Sequence, residues 1–453
     1  MSIFGAMITA VTGLNAQSYA LENISDNIAN SQTTGYKRVD TSFEDMVPDY
    51  PLRTQVGGSV IAFSQGTNGL TGNITSSGVG TNFAINGQGF AVVRDASDLS
   101  GGTPTFSARN LYTRRGDFEL DKNGYLVNGA GKYLVGYSAS ATGQISTGTP
   151  DIVKVSFAPV DASATSTLTY SANVPSYPLT QNADTTVANS ELWGGGTLAA
   201  PPATITTGGA APANSATFAA NSIAGQTVTM YDSLGNQVNV EFRWAKINSV
   251  SNGGTDTWAL YYNSTPGTTA ATSTWTNVGG AFTFNSTGKL TSATSATPTI
   301  AVGGQTVGAV AIDFSQLTQF ADGSGQVKAN QIVQNGYTAG KLDSVAIGDD
   351  GRIMATYTNG QTKAIGQVAI AQFNAVNALK RDSGGVFEET LESGQPLLSY
   401  NGSSLISGSL EGSNTDIASE FSKMIVTQQA YSANTRVITT SQQMLQDAIN
   451  IIR

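Results

Sequence analysis

From Ile417 to the end of the chain a heptad repeat runs without a break, and no Gly or Pro interrupts it. One set of positions reads Ile417, Met424, Tyr431, Ile438, Leu445 and Ile452; the other reads Phe421, Gln428, Thr435, Gln442 and Ile449. Alternating steps of four and three sustained over this length predict an α-helix with a narrow seam that requires a partner helix. Ser413 followed by Asp416 fits a capping signature, and Asp416 and Glu420 suit the positive end of the helix dipole. Arg453 suits the other end. The second set is polar in its middle. Gln428, Thr435 and Gln442 either face water or a lumen, or fix register within an assembly, and both readings stand at this stage.

The N-terminus mirrors this pattern. Phe4, Met7, Val11, Leu14, Ser18, Leu21, Ser25 and Ile28 again step by three and four, with Ser2 placed to cap. Gly5 and Gly13 each weaken such a helix by about 1 kcal/mol relative to Ala. Neither terminal helix would be stable alone in water, and the sequence between them is β-like, so the two are expected to pair as a coiled coil.

Bulk properties narrow the function. At 453 residues the chain has room for two to four domains. A net charge of -9 with no basic stripe excludes a nucleic-acid partner. Cysteine is absent, which removes disulfides and thiolate chemistry; histidine is absent, which removes the commonest general base and metal ligand. No apolar run approaches the roughly 18 residues of a membrane span. The first basic residue is Lys37, so no positively charged signal-peptide region is expected.

Between the ends the pattern is β. Residues 38 to about 70 read as an irregular connection. Strands then follow around Phe83–Ile85, Phe90–Val93, Phe118–Leu120 and Tyr125–Val127, the last two flanking the Asp121–Gly124 turn. Far downstream Lys341–Ile347, Arg352–Tyr357 and Lys363–Phe373 form a meander through Gly348–Gly351 and Asn359-Gly360. A domain built from two separated segments requires an insertion between them. Residues 161–320 supply it, with only ten charged residues but all four tryptophans, Trp193, Trp244, Trp258 and Trp275. The aromatic residues predict an independent core, while Leu198–Ala219 reads as linker. The Asp232–Asn236 turn joins two of its strands. A carboxylate enzyme such as a glycosidase is disfavoured, because residues such as Asp121, Asp349 and Asp350 sit in turns.

Two separated stretches carry a resemblance. Asn30, Thr33, Gly35, Tyr36 and Lys37 form a signature similar to the one after the first helix of the bacterial flagellar rod and hook proteins. Leu410, Glu411, Ser413 and Asn414, leading into Phe421, Met424, Tyr431 and Asn434, resemble the same family's C-terminal stretch. The chain departs from the family at Gln429, where Arg is usual, and at Gln442 and Gln443, where an acidic pair is usual.

The fold class expected is therefore multidomain and mainly β with terminal α-helices. Residues 1–35 form the N-terminal helix, 36–71 a connection, 72–160 and 321–409 the two halves of a β-domain, 161–320 an inserted β-domain, and 410–453 the C-terminal helix. The resemblance implies a non-enzymatic structural subunit of the flagellar axial structure. The long insertion, with Asp232–Asn236 resembling the hook's outer domain, favours the hook over the distal rod or hook junction. The alternative of another class is a secreted carbohydrate-binding or adhesive protein. In the family reading, paired helices of many copies line the inner wall of a flexible curved tube that transmits torque, and the apolar positions of both stripes meet at subunit interfaces. The partners implied are further copies of the chain, the rod, hook-cap and hook-junction proteins, and the flagellar type III export apparatus. No cofactor, metal, nucleic acid or membrane insertion is implied, and the location is extracellular, reached without a cleaved signal peptide.

Overall fold

A computed structural model describes residues 3–46, 59–98, 102–140, 142–400 and 402–452, with the side chains of residues 3, 451 and 452 outside that description. The chain forms two units. One comprises Met1–Phe157, Leu342–Tyr357 and Gln361–Arg453; the other comprises Ala158–Lys341 and Thr358–Gly360.

In the first unit the terminal helices, Ile3–Ala29 and Ile417–Ile452, pack against each other. The C-terminal helix starts at Ile417, so Asp416 rather than Ser413 is its cap. The Asp416 carboxylate accepts the Ser419 N–H at 2.9 Å, while Ser413 Oγ accepts the Thr415 N–H at 3.2 Å. The expected cap Ser2 and the expected terminal cation Arg453 lie outside the described residues.

The connection expected to be irregular is instead an antiparallel ribbon. Val39–Met46 pairs with Ser59–Gly66, from Val39 opposite Gly66 to Met46 opposite Ser59. The ribbon lies along the N-terminal helix. Asn23 donates to Thr41 Oγ1 at 2.8 Å, and the Tyr19 and Ser64 hydroxyls are 2.7 Å apart. Polar Thr41 and Ser64 face the helix while apolar Phe43, Met46, Ile61 and Phe63 are exposed, so the strands lack the apolar-in, polar-out alternation that signals a half-buried strand.

The split β-domain is one antiparallel sheet to which both segments contribute. Its strands run in the order Leu342–Ile347, Arg352–Tyr357, Thr362–Val368, Tyr133–Ser138, Phe90–Arg94, Leu111–Thr113, Val386–Glu388 and Lys380–Asp382. The halves join where Tyr137 pairs with Gln367, and again where Thr113 pairs with Val386. Alternate side chains of the central strands fill two cores, one on each face of the sheet. Phe83, Val93, Leu134 and Ile353 belong to one core; Phe90, Tyr112 and Phe373 belong to the other. The Asp121 turn forms as expected, with its carboxylate accepting the Asn123 and Tyr125 N–H groups at 2.9 and 2.7 Å.

The second unit packs two five-stranded sheets and a hairpin, Thr299–Val302 with Gln305–Ala309, around one large core. In one sheet Thr167–Pro175 is paired in parallel with Ala311–Asp313 and Thr318–Phe320, and antiparallel with Lys328–Gln334. The other sheet runs Thr204–Ile205, Thr274–Thr283, Thr257–Thr265, Gln237–Asn248, Ile223–Tyr231. Tyr170, Trp244, Trp258, Phe282 and Phe314 pack in the large core; Trp193, Phe218, Tyr261 and Trp275 form a smaller one. All four tryptophans are fully buried.

Three expectations change here. The second half of the β-domain begins at Leu342, not at residue 321, because Lys328–Gln334 pairs with Thr167–Pro175 inside the inserted unit. The insertion begins at Ala158 rather than 161. Residues 198–219 are not linker: they contain the strand Thr204–Ile205, and a short helix Ser215–Ala220 capped by Asn214 starts within them. Ile205 and Phe218 anchor them in the smaller core, and two apolar anchors in a polar run are too few to reveal themselves as periodicity.

Candidate subunit interface and the junction behind it

The two terminal helices meet through small and polar residues. On the N-terminal helix the buried positions are Ala10, Gly13, Ala16, Ala20, Asn23, Ile24 and Asn27. Opposite them Glu420, Thr427 and Ser441 are buried, and Asn434 lies so close to Gly13 that a Cβ there would come within 2.9 Å of its amide. Asn27 donates to Glu420 Oε2 at 3.1 Å. Small residues at steps of three and four let the helix backbones approach closely, leaving little room for large apolar side chains between them.

The expected seams are displaced accordingly. Of the C-terminal sets, Met424, Ile438 and Leu445 are half-buried, but Ile417, Phe421, Tyr431 and Ile449 are exposed. The second inward row is Glu420, Thr427, Asn434 and Ser441, one residue away from the expected Phe421, Gln428, Thr435 and Gln442. Those last three polar side chains are exposed. On the N-terminal helix Met7, Leu14, Leu21 and Ile28 are half-buried, while Phe4 and Val11 are exposed. Ile452 carries no described side chain.

Behind the helix pair, the family-like motifs converge on one buried junction. Asn30 and Thr33 close the first helix: Asn30 donates to the Asp26 carbonyl at 2.9 Å, and the Thr33 hydroxyl donates to Asn30 Oδ1 at 3.2 Å. Gly35 follows with φ of +68°, and a Cβ there would meet the Arg115 and Arg114 backbone at 2.7 and 2.8 Å. No other residue fits. The turn delivers Lys37 into the interior, where its ammonium donates to Glu411 Oε1 at 2.5 Å and to the Leu70 carbonyl at 2.6 Å. Arg114 binds the other Glu411 oxygen at 3.2 Å and also the Ile85 carbonyl at 3.1 Å. The Gly72 N–H donates to Glu411 Oε1 at 2.8 Å. Lys37, Arg114 and Glu411 are wholly shielded from water. Burial pulls the Lys37 ammonium below its usual value against the attraction of Glu411, and lowers Arg114 for the same reason.

Around this centre Asn414 accepts the Arg38 N–H at 2.7 Å and donates to the Leu70 carbonyl at 3.2 Å. Asn27 accepts from the Val39 N–H at 2.9 Å and from the Tyr36 hydroxyl at 3.3 Å. Arg381 stacks over the Tyr36 ring at 4.3 Å and donates to the Lys37 carbonyl. The end of the first helix, the ribbon, the β-domain and the start of the last helix are thereby tied at one point. A further ion pair crosses from helix to ribbon: Lys423 reaches Glu420 at 2.7 Å and Asp40 at 2.9 Å. Partial burial lowers the Lys423 ammonium, but its bonds to Glu420 and Asp40 outweigh that and leave it above the usual lysine value.

Large apolar side chains also remain on the surface. Phe4 and Ile8 on the first helix, Phe421, Ile425 and Val426 on the last, and Met46, Ile61 and Phe63 on the ribbon are each at least 45% exposed. Among the described residues no group of three or more His, Cys, Asp or Glu side chains is placed to hold a metal ion. None of the described helices is long and apolar enough to cross a membrane.

Comparison with known proteins follows this division. Family models match residues 7–37 (flagella basal body rod protein), 84–166 (flagellar hook protein FlgE/F/G D1 domain), 199–337 (flagellar basal body protein FlaE D2 domain) and 406–451 (flagellar basal body rod FlgEFG protein C-terminal). The chain is 32% identical to the flagellar hook protein FlgE of Salmonella typhimurium, with 98% of each chain covered. It is 30% identical to that of Brucella suis, with both chains covered end to end. The chain belongs to the flagellar hook protein family. A solved structure of the Helicobacter pylori flagellar hook protein FlgE2 is 14% identical with a TM-score of 0.47, covering 73% of this chain and 98% of that one.

Two residues central to this hook-family junction escaped the sequence reading as site residues. Glu411 stood within a quoted motif without a role, and Arg114 was not singled out. No signal in the sequence marks Arg114: its neighbour Arg115 pairs with the partly exposed Asp117, and only the fold brings Arg114 to Glu411.

Proposed function

We infer that the chain is a structural subunit of the flagellar hook, polymerising through its terminal helices into a flexible tube that carries torque from rod to filament. The observation that carries this reading is the row of exposed apolar side chains on both terminal helices and the ribbon, in a chain similar end to end to hook proteins. Each Å² of such surface costs about 25 cal/mol in water, and neighbouring copies in a tube would cover it. Phe4, Val11, Ile417, Phe421, Tyr431 and Ile449 then serve contacts between copies, while Met424, Ile438 and Leu445 serve mainly the helix pair of one copy. The D2-type match over residues 199–337 supports the hook over the distal rod.

The rod, hook-cap and hook-junction proteins as neighbours, and delivery to the cell exterior by the flagellum's own type III apparatus, rest on the family resemblance. Expression in a bacterium deprived of its own hook protein tests the whole reading. Restored hooks in electron micrographs and restored swimming are expected. A folded, exported chain that builds no tube overturns it. In the same strain with its flagellar export apparatus inactivated, the chain should stay inside the cell.

A further inference from the structure

A groove of about 660 Å³ opens between the ribbon and the C-terminal helix. Ala20 and Ile24 of the N-terminal helix form its floor, Val39 and Phe43 one wall, and Val426 and Thr427 the other. Phe43 and Val426 are 47% and 65% exposed, so the apolar lining faces water. The charges at its rim are already paired with one another: Arg38 with Asp40, and Lys423 with Asp40 and Glu420. An occupant bringing its own charge would find no free partner there, so the groove suits an uncharged apolar segment.

The chain contains such a segment. No Asp, Glu, Lys or Arg occurs in its first 21 residues, and Phe4, Ile8 and Val11 stand exposed at i, i+4 and i+7 on one helix face. That is the spacing by which a helix lays anchors into a groove. The C-terminal helix is a poorer match, because Arg436 and Asp447 lie among its last exposed apolar residues. Phe4 cannot reach the groove of its own chain. It lies on the same straight helix as Ala20, about 24 Å away at 1.5 Å per residue. The helices pair antiparallel, with Gly13 beside Asn434 and Asn27 beside Glu420, so the free tip of the pair and the groove are at opposite ends.

We propose that the groove receives the N-terminal helix tip of a second copy, with Phe4, Ile8 and Val11 seated against Ile24, Phe43 and Val426. This rests on the hook reading and deepens it. A tip-to-groove contact uses two different surfaces, so repeated head to tail it propagates along the tube. Each copy would stand on the next through its helical end.

The chain lacks cysteine, which makes the test clean. Phe4→Cys and Val426→Cys are prepared in separate chains of different tagged length, mixed, polymerised and oxidised. A disulfide between the two lengths on a non-reducing gel is the expected result. Tubes formed without it overturn the proposal and leave the hook reading intact. Tubes in which Val426→Cys joins an Ile449→Cys chain instead also overturn it, since another segment then fills the groove. Wild-type protein that forms no tube removes the hook reading and this proposal together. Should a cysteine variant fail to polymerise, alanine decides: Phe4→Ala and Val426→Ala each raise the critical concentration about five-fold. In the double variant the rise stays near that of one alone, and a full multiplicative rise overturns the contact.

Discussion

Glu411 holds two buried cations with a single charge, and its removal leaves both without a counter-ion. Glu411→Gln keeps the shape but strands Lys37 and Arg114, and unpaired buried charge costs about 3–5 kcal/mol. Urea unfolding of the first unit should show that loss; a change under 1 kcal/mol would mean the junction does not hold the segments together. Lys423 offers a titration. Its folded value is raised, so its contribution is fully present below 10.5, the ordinary lysine value, and is lost as pH climbs through the folded value. The difference in stability between wild type and Lys423→Met should therefore shrink only above that pH. Because the side chain is more than a third exposed, the effect should be at most about 1 kcal/mol. A difference that is flat across the alkaline range would refute the pairing.

At the scale of elements, the helix pair separates two kinds of contact that a sequence stripe merges. Gly13→Leu places a side chain where Asn434 lies, so it should push the helices apart and lower helicity by circular dichroism. Phe421→Asp changes an exposed position; monomer stability should move by no more than about 0.5 kcal/mol while tube assembly fails. Equal damage to monomer and polymer from Phe421→Asp would contradict the division. The sequence made both helices legible, because their period is long and unbroken. It also made the hairpin turns legible, because Asp121 and Asn359-Gly360 carry their own geometry. The inward face was less legible. Hydrophobicity marks a face that will be covered without saying by what, and Phe4 and Phe421 signal as strongly when a neighbour covers them as when their own chain does. The quieter signal was Ala10, Gly13, Ala16 and Ala20, whose smallness means close approach rather than burial of area. The junction was half legible: Gly35, Tyr36, Lys37 and Asn414 stood in the motifs, but their common partner Glu411 is far from Lys37 in sequence and only the fold brings them together.

At the scale of the whole molecule, the two units have separate cores, since no buried cluster draws residues from both. The inserted unit also leaves and returns side by side: Val160 and Gly340 exchange hydrogen bonds of 2.8 and 3.0 Å. Replacing residues 158–341 with a short glycine linker should leave the first unit folded, with thermal unfolding of its sheet within a few degrees of the parent. Tubes should still assemble but with altered curvature in electron micrographs; unchanged curvature would show that the insertion plays no part in bending. The interleaved sheet has one more consequence, for the order in which the protein can acquire its shape. A chain delivered end first, from a ribosome or through a narrow channel, presents residues 158–341 as a contiguous stretch that closes on itself. The strands around Tyr137 must wait for those around Gln367, a loop closure across more than two hundred positions. Whichever end emerges first, the insertion is complete before the sheet that carries it.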